Sequence, residues 1–306
     1  MTLTVRRIIL MCLGAIGGLL AWPVSELFIE LQAAFPSLFL FALASGAAVG
    51  LVFGAVFGSA PGIFLSHRRR MAVGAGIGAL IGIAGGGLGF LAGQAVLLLV
   101  GEQLVAPGTE TYAGSIPLAR ALGWAILGTC VGAADGVRAR SAPKARAGVL
   151  GGLSGGLVGG LVVEYGRYVL PAEPYARLAA FVFFGLAIAA FLAFVEKRLS
   201  FGVLRVLNGP RKGSEYIVNQ RLLTVGADDR CDVVLAEYDG VNAHHFSLRE
   251  RGGEVYLSVS EGTVRWNDEP LDPSAGAGPE NASRVPALKF EDVIAAGSVK
   301  FLYMAE

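Results

Sequence analysis

The chain has 306 residues, 54% of them hydrophobic, with a mean hydropathy of +0.60 and a formal net charge of +1. That hydropathy excludes an ordinary soluble globular protein. The near-neutral charge hides a division: residues 1–200 carry 14 Lys/Arg against 8 Asp/Glu, and residues 201–306 carry 11 against 16. Two domains in different surroundings follow, a helical one in lipid (1–200) and one in water (201–306). The acidic second domain has no basic cluster interleaved with aromatics, which excludes nucleic acid as a partner.

Cys12, Cys130 and Cys231 share no CxxC spacing, so neither a disulfide framework nor a zinc site is predicted. Neither half contains a nucleophile–base set, paired catalytic carboxylates, a phosphate-binding loop or a metal signature. The prediction is a protein that is not an enzyme and takes no cofactor or metal.

In chain order, Met1-Thr2-Leu3-Thr4-Val5-Arg6-Arg7 and the apolar run behind it resemble a signal peptide. A small-x-small cleavage site is lacking and further spans follow, so a retained first helix is predicted. Six apolar segments approach the length needed to cross a bilayer, at residues 8–28, 38–65, 72–100, 118–136, 148–163 and 178–195. Basic residues mark every second connection: Arg6 and Arg7, then Arg68 to Arg70, then Arg138, Arg140, Lys144 and Arg146, then Lys197 and Arg198. The opposite connections carry Glu26, Glu30, Glu102, Glu110, Glu164 and Glu173. This positive-inside pattern predicts a multi-pass protein of the bacterial inner-membrane type with both termini in the cytoplasm.

Glycines recur every four residues and so line one face of each helix. The ladders are Gly50, Gly54 and Gly58 in the second span, Gly78 and Gly82 in the third, Gly128 and Gly132 in the fourth, and Gly152 and Gly156 in the fifth. Such faces let backbones approach closely in lipid, where packing replaces the hydrophobic drive. Arg120 precedes Gly128 by eight residues, as Arg177 precedes Gly185, and the third and fifth spans share a ladder. The membrane half therefore reads as three helical hairpins, the first most diverged. Asp135 and Glu164 are predicted at interfaces, with ion relay the alternative for Asp135. Trp22, Trp124, Tyr165 and Tyr168 fit interfacial belts, Trp124 somewhat deeper.

From residue 201 the pattern changes to short strands between polar turns, at 204–207, 215–218, 222–225, 233–235, 246–250, 255–259, 264–266, 293–295 and 299–303. That pattern predicts an all-β sandwich, with residues 272–286 a mobile loop. The order of signals resembles the forkhead-associated (FHA) family. It runs through Gly209-Pro210 and Gly213, Gly226-Ala227, Cys231-Asp232-Val233-Val234-Leu235, Asn242-Ala243-His244-His245, Glu261-Gly262-Thr263 with Asn267 and Leu271, and Glu291-Asp292-Val293-Ile294 with Gly297.

The resemblance implies recognition of phosphothreonine peptides by loops at one end of the sandwich. Here those loops would comprise Ala227, Asp228, Arg230, Asn242, His245, Glu261, Gly262, Thr263 and Asn267. The family's phosphate donors are an Arg and a Ser, replaced here by Ala227 and Asn242, and its peptide-holding Asn is Glu261. The resemblance makes His245 a structural brace and Arg230 a substitute donor; His244 is read as its solvent-facing neighbour. Weak or absent phosphothreonine binding follows. The function implied is a membrane scaffold whose cytoplasmic FHA-like module recruits a protein partner, phosphorylated or not. Other partners are membrane lipid and a second copy or another membrane protein. The alternative is a small channel or transporter regulated by the module.

Overall fold

The computed structural model describes residues 1–64, 67–104, 110–139, 141–170, 173–271 and 287–305. The predicted loop at 272–286 and Arg140 lie outside them, as do the side chains of Glu102, Glu110 and Tyr168. The chain divides into two compact units, Arg6–Glu196 and a second one joining Met1–Val5 to Lys197–Glu306.

The first unit is helical: α1 (Leu3–Leu31), α2 (Leu38–Phe64), α3 (Arg68–Leu104), α4 (Glu110–Arg138), α5 (Ala142–Val169) and α6 (Pro174–Arg198). Each is long and apolar enough to cross a membrane. The helices extend past the predicted segments because flanking polar residues continue the α geometry once the apolar core has nucleated it.

Glycine decides how they pack. A Cβ placed on Gly50 would run into the carbonyl of Gly82, and the reverse is equally true. The same mutual contact joins Gly54 to Gly78, Gly132 to Gly148, and Gly14 to Gly185; a Cβ at Gly156 would come within 2.7 Å of the Trp124 carbonyl oxygen. Backbone thus meets backbone between α2 and α3, α4 and α5, and α6 and α1. The hairpins read from sequence pair spans three with four and five with six, and these helices pack closely too: Gly89 and Gly123 make the same mutual contact between α3 and α4, and a Cβ at Gly155 of α5 would come within 2.6 Å of Ile188 Cα in α6. Salt bridges close the α4–α5 and α6–α1 pairs at the basic end of the bundle. Asp135 receives Arg138 at 2.7 Å and Lys144 at 2.8 Å, while Arg6 reaches Glu196 at 2.8 Å. Asp135 therefore sits in a local ion-pair cluster.

Aromatic side chains fill the space between the pairs. Trp124 meets Phe90 and Phe184 edge-on at 4.8 Å, and Phe184 meets Phe53 at 5.0 Å. Trp124 is 2% exposed, which moves it from the predicted belt into the bundle interior. Its indole N–H has a buried partner there, donating to Glu164 Oε1 at 2.8 Å, so burial leaves no orphaned donor.

Among the described residues the second unit contains ten strands: β1 (Gly202–Val206), β2 (Glu215–Val218), β3 (Leu222–Gly226), β4 (Val233–Val234), β5 (Phe246–Arg251), β6 (Glu254–Val259), β7 (Val264–Trp266), β8 (Glu269–Leu271), β9 (Val293–Ala296) and β10 (Val299–Met304). They form one sheet in the order β2-β1-β10-β9-β7-β8 and another in the order β4-β3-β5-β6. Alternate residues point inward, and Leu204, Val225, Leu248, Ile294 and Phe301 are fully buried. Phe246 and Phe301 meet edge-on at 5.8 Å, joining the inner faces of the two sheets. Full burial of such side chains contributes about 1.5–3 kcal/mol each. β8 is absent from the strand pattern of the sequence because Pro270 interrupts it; its edge position tolerates a residue that cannot donate to the ladder.

Candidate functional site

Three loops meet at one end of the sandwich, between β3 and β4, between β4 and β5, and between β6 and β7. β3 ends at Gly226, where a Cβ would collide with the Ala243 carbonyl. Only glycine permits that approach, and it allows two backbone bonds across the first two loops. Ala227 N–H donates to Asn242 O at 2.8 Å and Asp228 N–H to Ala243 O at 3.1 Å. Inside the first loop, Asp228 Oδ1 accepts the Arg230 N–H at 2.8 Å, an Asx turn that fixes the loop from its own sequence.

His245 ties in the third loop. It is 1% exposed, and its Nδ1 accepts the Asn242 N–H at 3.0 Å. The ring proton is thereby assigned to Nε2, which donates to Thr263 O at 3.1 Å. Its carbonyl accepts the N–H groups of Ser260 at 3.0 Å and Glu261 at 3.1 Å. Gly262 turns with φ +81°, and a Cβ there would come within 2.8 Å of the His245 ring. Left-handed backbone and a ring against its face both call for glycine.

Ala227, Asp228, Arg230, Asn242, His245, Glu261, Gly262 and Thr263 thus belong to one loop cluster. Asn267 does not. It lies in the turn from β7 to β8, at the far end of β7 from Thr263, with φ 49°. Its amide donates to Asp292 Oδ1 at 2.8 Å and accepts the Val293 N–H at 2.8 Å, pinning that turn to β9. It takes a structural place outside that loop cluster.

The exposed rim consists of Asp229, Arg230, Asn242, His244, Glu261 and Thr263. Asp229 and Glu261 on the rim, with half-buried Asp228 beside them, outnumber Arg230, so the local field is negative. His244 is held on the rim. Its N–H points to Glu261 Oε2 at 3.5 Å, its Nε2 lies 3.9 Å from Asp228 Oδ2, and its Nδ1 lies 3.3 Å from Cys231 Sγ. A Cys–His–Asp grouping of this kind is absent from the sequence motifs and becomes visible only in three dimensions. Burial pushes the Cys231 thiol up, and the carboxylates of Asp228 and Asp232 push it further. A protonated, buried thiol is the opposite of an activated nucleophile. Among the described residues no group of His, Cys, Asp and Glu is placed to hold a metal ion. The cluster can offer hydrogen bonds and one guanidinium to a polypeptide.

Residues 205–306 match the family described as the inner membrane component of the type III secretion system (T3SS), cytoplasmic domain. Solved structures of FHA domains are similar as well. The FHA domain of CT664 from Chlamydia trachomatis is 18% identical, covers 34% of this chain and 97% of its own, and gives a TM-score of 0.29. The cytoplasmic domain of the T3SS sorting platform protein PscD from P. aeruginosa is 19% identical, with 34% and 79% covered and a TM-score of 0.28. A structure from a study of phosphothreonine-dependent FHA domain interactions is 18% identical, with 34% and 96% covered and a TM-score of 0.28. No curated protein sequence matches the chain.

Proposed function

We propose that this chain, an FHA-like module behind six apolar helices, is an integral membrane scaffold of the bacterial inner membrane. It presents the module to protein partners in the cytoplasm and reads phosphothreonine weakly or not at all. The observation that carries the proposal is the loop cluster around His245. Its framework is tied together by backbone bonds and by His245, while the positions that would hold a phosphate carry Ala227, Asn242 and Glu261. A carboxylate facing an incoming dianion repels it by about 1 kcal/mol or more at a few ångströms, depending on the local dielectric.

Other observations support the same reading. The matched family is described by an inner-membrane component's cytoplasmic domain, and one similar structure is described as a sorting platform protein. The basic connections at alternate ends support cytoplasmic termini. Phe53, Trp124 and Phe184 fill the bundle interior, which favours a packed anchor over the channel or transporter alternative. The exposed apolar helix faces, including Leu80, Leu88 and Phe194, suit lipid or a second membrane protein, a further copy of the chain included.

The test is a phosphothreonine peptide library, with unphosphorylated counterparts, titrated against the full chain in detergent. The proposal expects no phosphate-dependent gain. Micromolar binding abolished by Arg230→Ala would overturn it.

A further inference from the structure

Away from the basic end, the helical unit has a half-open cavity of about 350 Å³. It is formed where α1, α3 and α5 finish and α2, α4 and α6 begin. One wall is apolar, with Phe28, Phe41 and Phe90 among its residues. The other carries Arg120, Arg167 and Arg177, one from each of the last three helices. Three guanidiniums thus converge at the end of the bundle opposite its basic end, with Arg120 half-exposed.

Two carboxylates offset part of that charge. Glu26 holds Arg177 through a bidentate pair, 2.7 Å on each branch. Glu164, 5% exposed, accepts the Trp124 indole N–H at 2.8 Å. Arg167 and Arg120 approach Glu164 only to 3.6 and 3.7 Å. Glu164 is thus engaged most closely by a neutral donor, and the two guanidiniums beside it lack the short bidentate geometry that Arg177 enjoys. Arg177 is offset by Glu26, with Glu173 acting on it as well, whereas Arg120 and Arg167 share Glu164, and Arg167 also donates to Ser25 Oγ at 3.2 Å.

We propose that this cavity binds a phosphate-bearing amphiphile, with the phosphate on Arg120 and Arg167 and its apolar substituent along the phenylalanine wall. Guanidinium forks match phosphate oxygens in planar, bidentate fashion, and such charge-assisted bonds are the strong ones. The volume lies within the range of small-ligand sites. The phosphate can come from an anionic phospholipid of the surrounding bilayer or from a soluble phosphate source.

The experiment uses the full chain in a zwitterionic detergent, titrated separately with phosphatidylglycerol, phosphatidylcholine and inorganic phosphate. Bound adducts are read by native mass spectrometry and thermal shift. Phosphatidylglycerol is expected to bind roughly tenfold or more tightly than phosphatidylcholine. Arg120→Gln with Arg167→Gln should abolish that preference, and Arg146→Gln at the opposite end should leave it intact. Arg120→Gln alone, at a half-exposed position, should fold normally and still weaken binding. If inorganic phosphate binds with the same dependence on these arginines, the site stands and its phosphate is soluble in origin. Equal binding of the two lipids with no arginine-dependent binding of phosphate would overturn the proposal, as would phosphatidylglycerol binding indifferent to both substitutions.

Discussion

Gly14 of α1 and Gly185 of α6 meet backbone to backbone, each occupying the space a Cβ on the other would need. The contact repeats what Gly50 and Gly82 do between α2 and α3, and what Gly132 and Gly148 do between α4 and α5. The first and last helices of the bundle therefore pair like the two consecutive pairs between them. Arg6 and Glu196 add a salt bridge of 2.8 Å to the same α1–α6 pair.

Substitution along this seam should be severe, and substitution off it benign. Gly82→Val would force the α2–α3 backbones apart, and overpacking of this kind costs about 1–3 kcal/mol or more. Gly76, on the same helix, is exposed, and a methyl group added there would meet nothing within 4 Å. Gly76→Ala should be neutral or stabilising by up to about 1 kcal/mol, since alanine is the better helix former. Thermal melts of the two variants in one detergent compare them directly.

His245 is expected to matter far more to the module than its neighbour. His245→Ala removes the acceptor for Asn242 N–H and the donor to Thr263 O and leaves a cavity, for a loss of about 2–4 kcal/mol. His244→Ala, on the exposed rim, should cost less than about 1 kcal/mol. Hydrogen exchange over residues 226–263 in the full chain separates the outcomes: faster exchange in all three loops for the first variant, near-native protection for the second.

The module should also have an alkaline limit. Burial pushes the Tyr303 phenol up to about 12, and its hydroxyl donates to Phe201 O at 2.6 Å. The folded protein holds this proton more tightly than the unfolded chain does. The stabilisation is complete below about pH 10 and is lost as pH rises through 12, for a contribution of order 1–2 kcal/mol. Denaturant midpoints measured across that range should fall with pH, and Tyr303→Phe should flatten the dependence.

Much of the fold is legible in the sequence, for identifiable reasons. Hydropathy and the four-residue glycine period are local signals, so the helices and their packing faces can be read directly. The alternation of Phe246 to Arg251 and Val299 to Met304 likewise announces half-buried strands. Pairing across the bundle is not local: nothing in the spacing says that Gly14 meets Gly185, about half the chain away. Arg120 and Arg177 are visible in the sequence only as markers of a repeat. Their convergence with Arg167 on one cavity depends on α4, α5 and α6 ending or beginning at the same level. Asn267 misleads because motif order brings it near Thr263 in sequence, whereas three residues of extended strand carry it to the other end of β7.

The proposed loss of phosphate reading makes a direct prediction at the loop cluster. Ala227 and Asn242 stand at positions joined by a backbone bond of 2.8 Å, and Glu261 sits on the loop that His245 clamps to both. On the proposed reading, these three side chains are what separates the loop cluster from a phosphate reader. Ala227→Arg would supply a guanidinium, Asn242→Ser a hydroxyl, and Glu261→Asn would remove the repelling carboxylate. Hydrogen bonds to a charged group contribute about 1.5–3 kcal/mol each, and about 1.4 kcal/mol is tenfold in affinity. The triple variant should thus gain at least tenfold in phosphothreonine peptide binding over its unphosphorylated counterpart, measured by fluorescence anisotropy on the full chain. Glu261→Asn alone should gain less, since it relieves repulsion without adding a phosphate donor. A triple variant that folds yet binds both peptides alike would place the cause outside these three side chains, in the shape of the loops themselves.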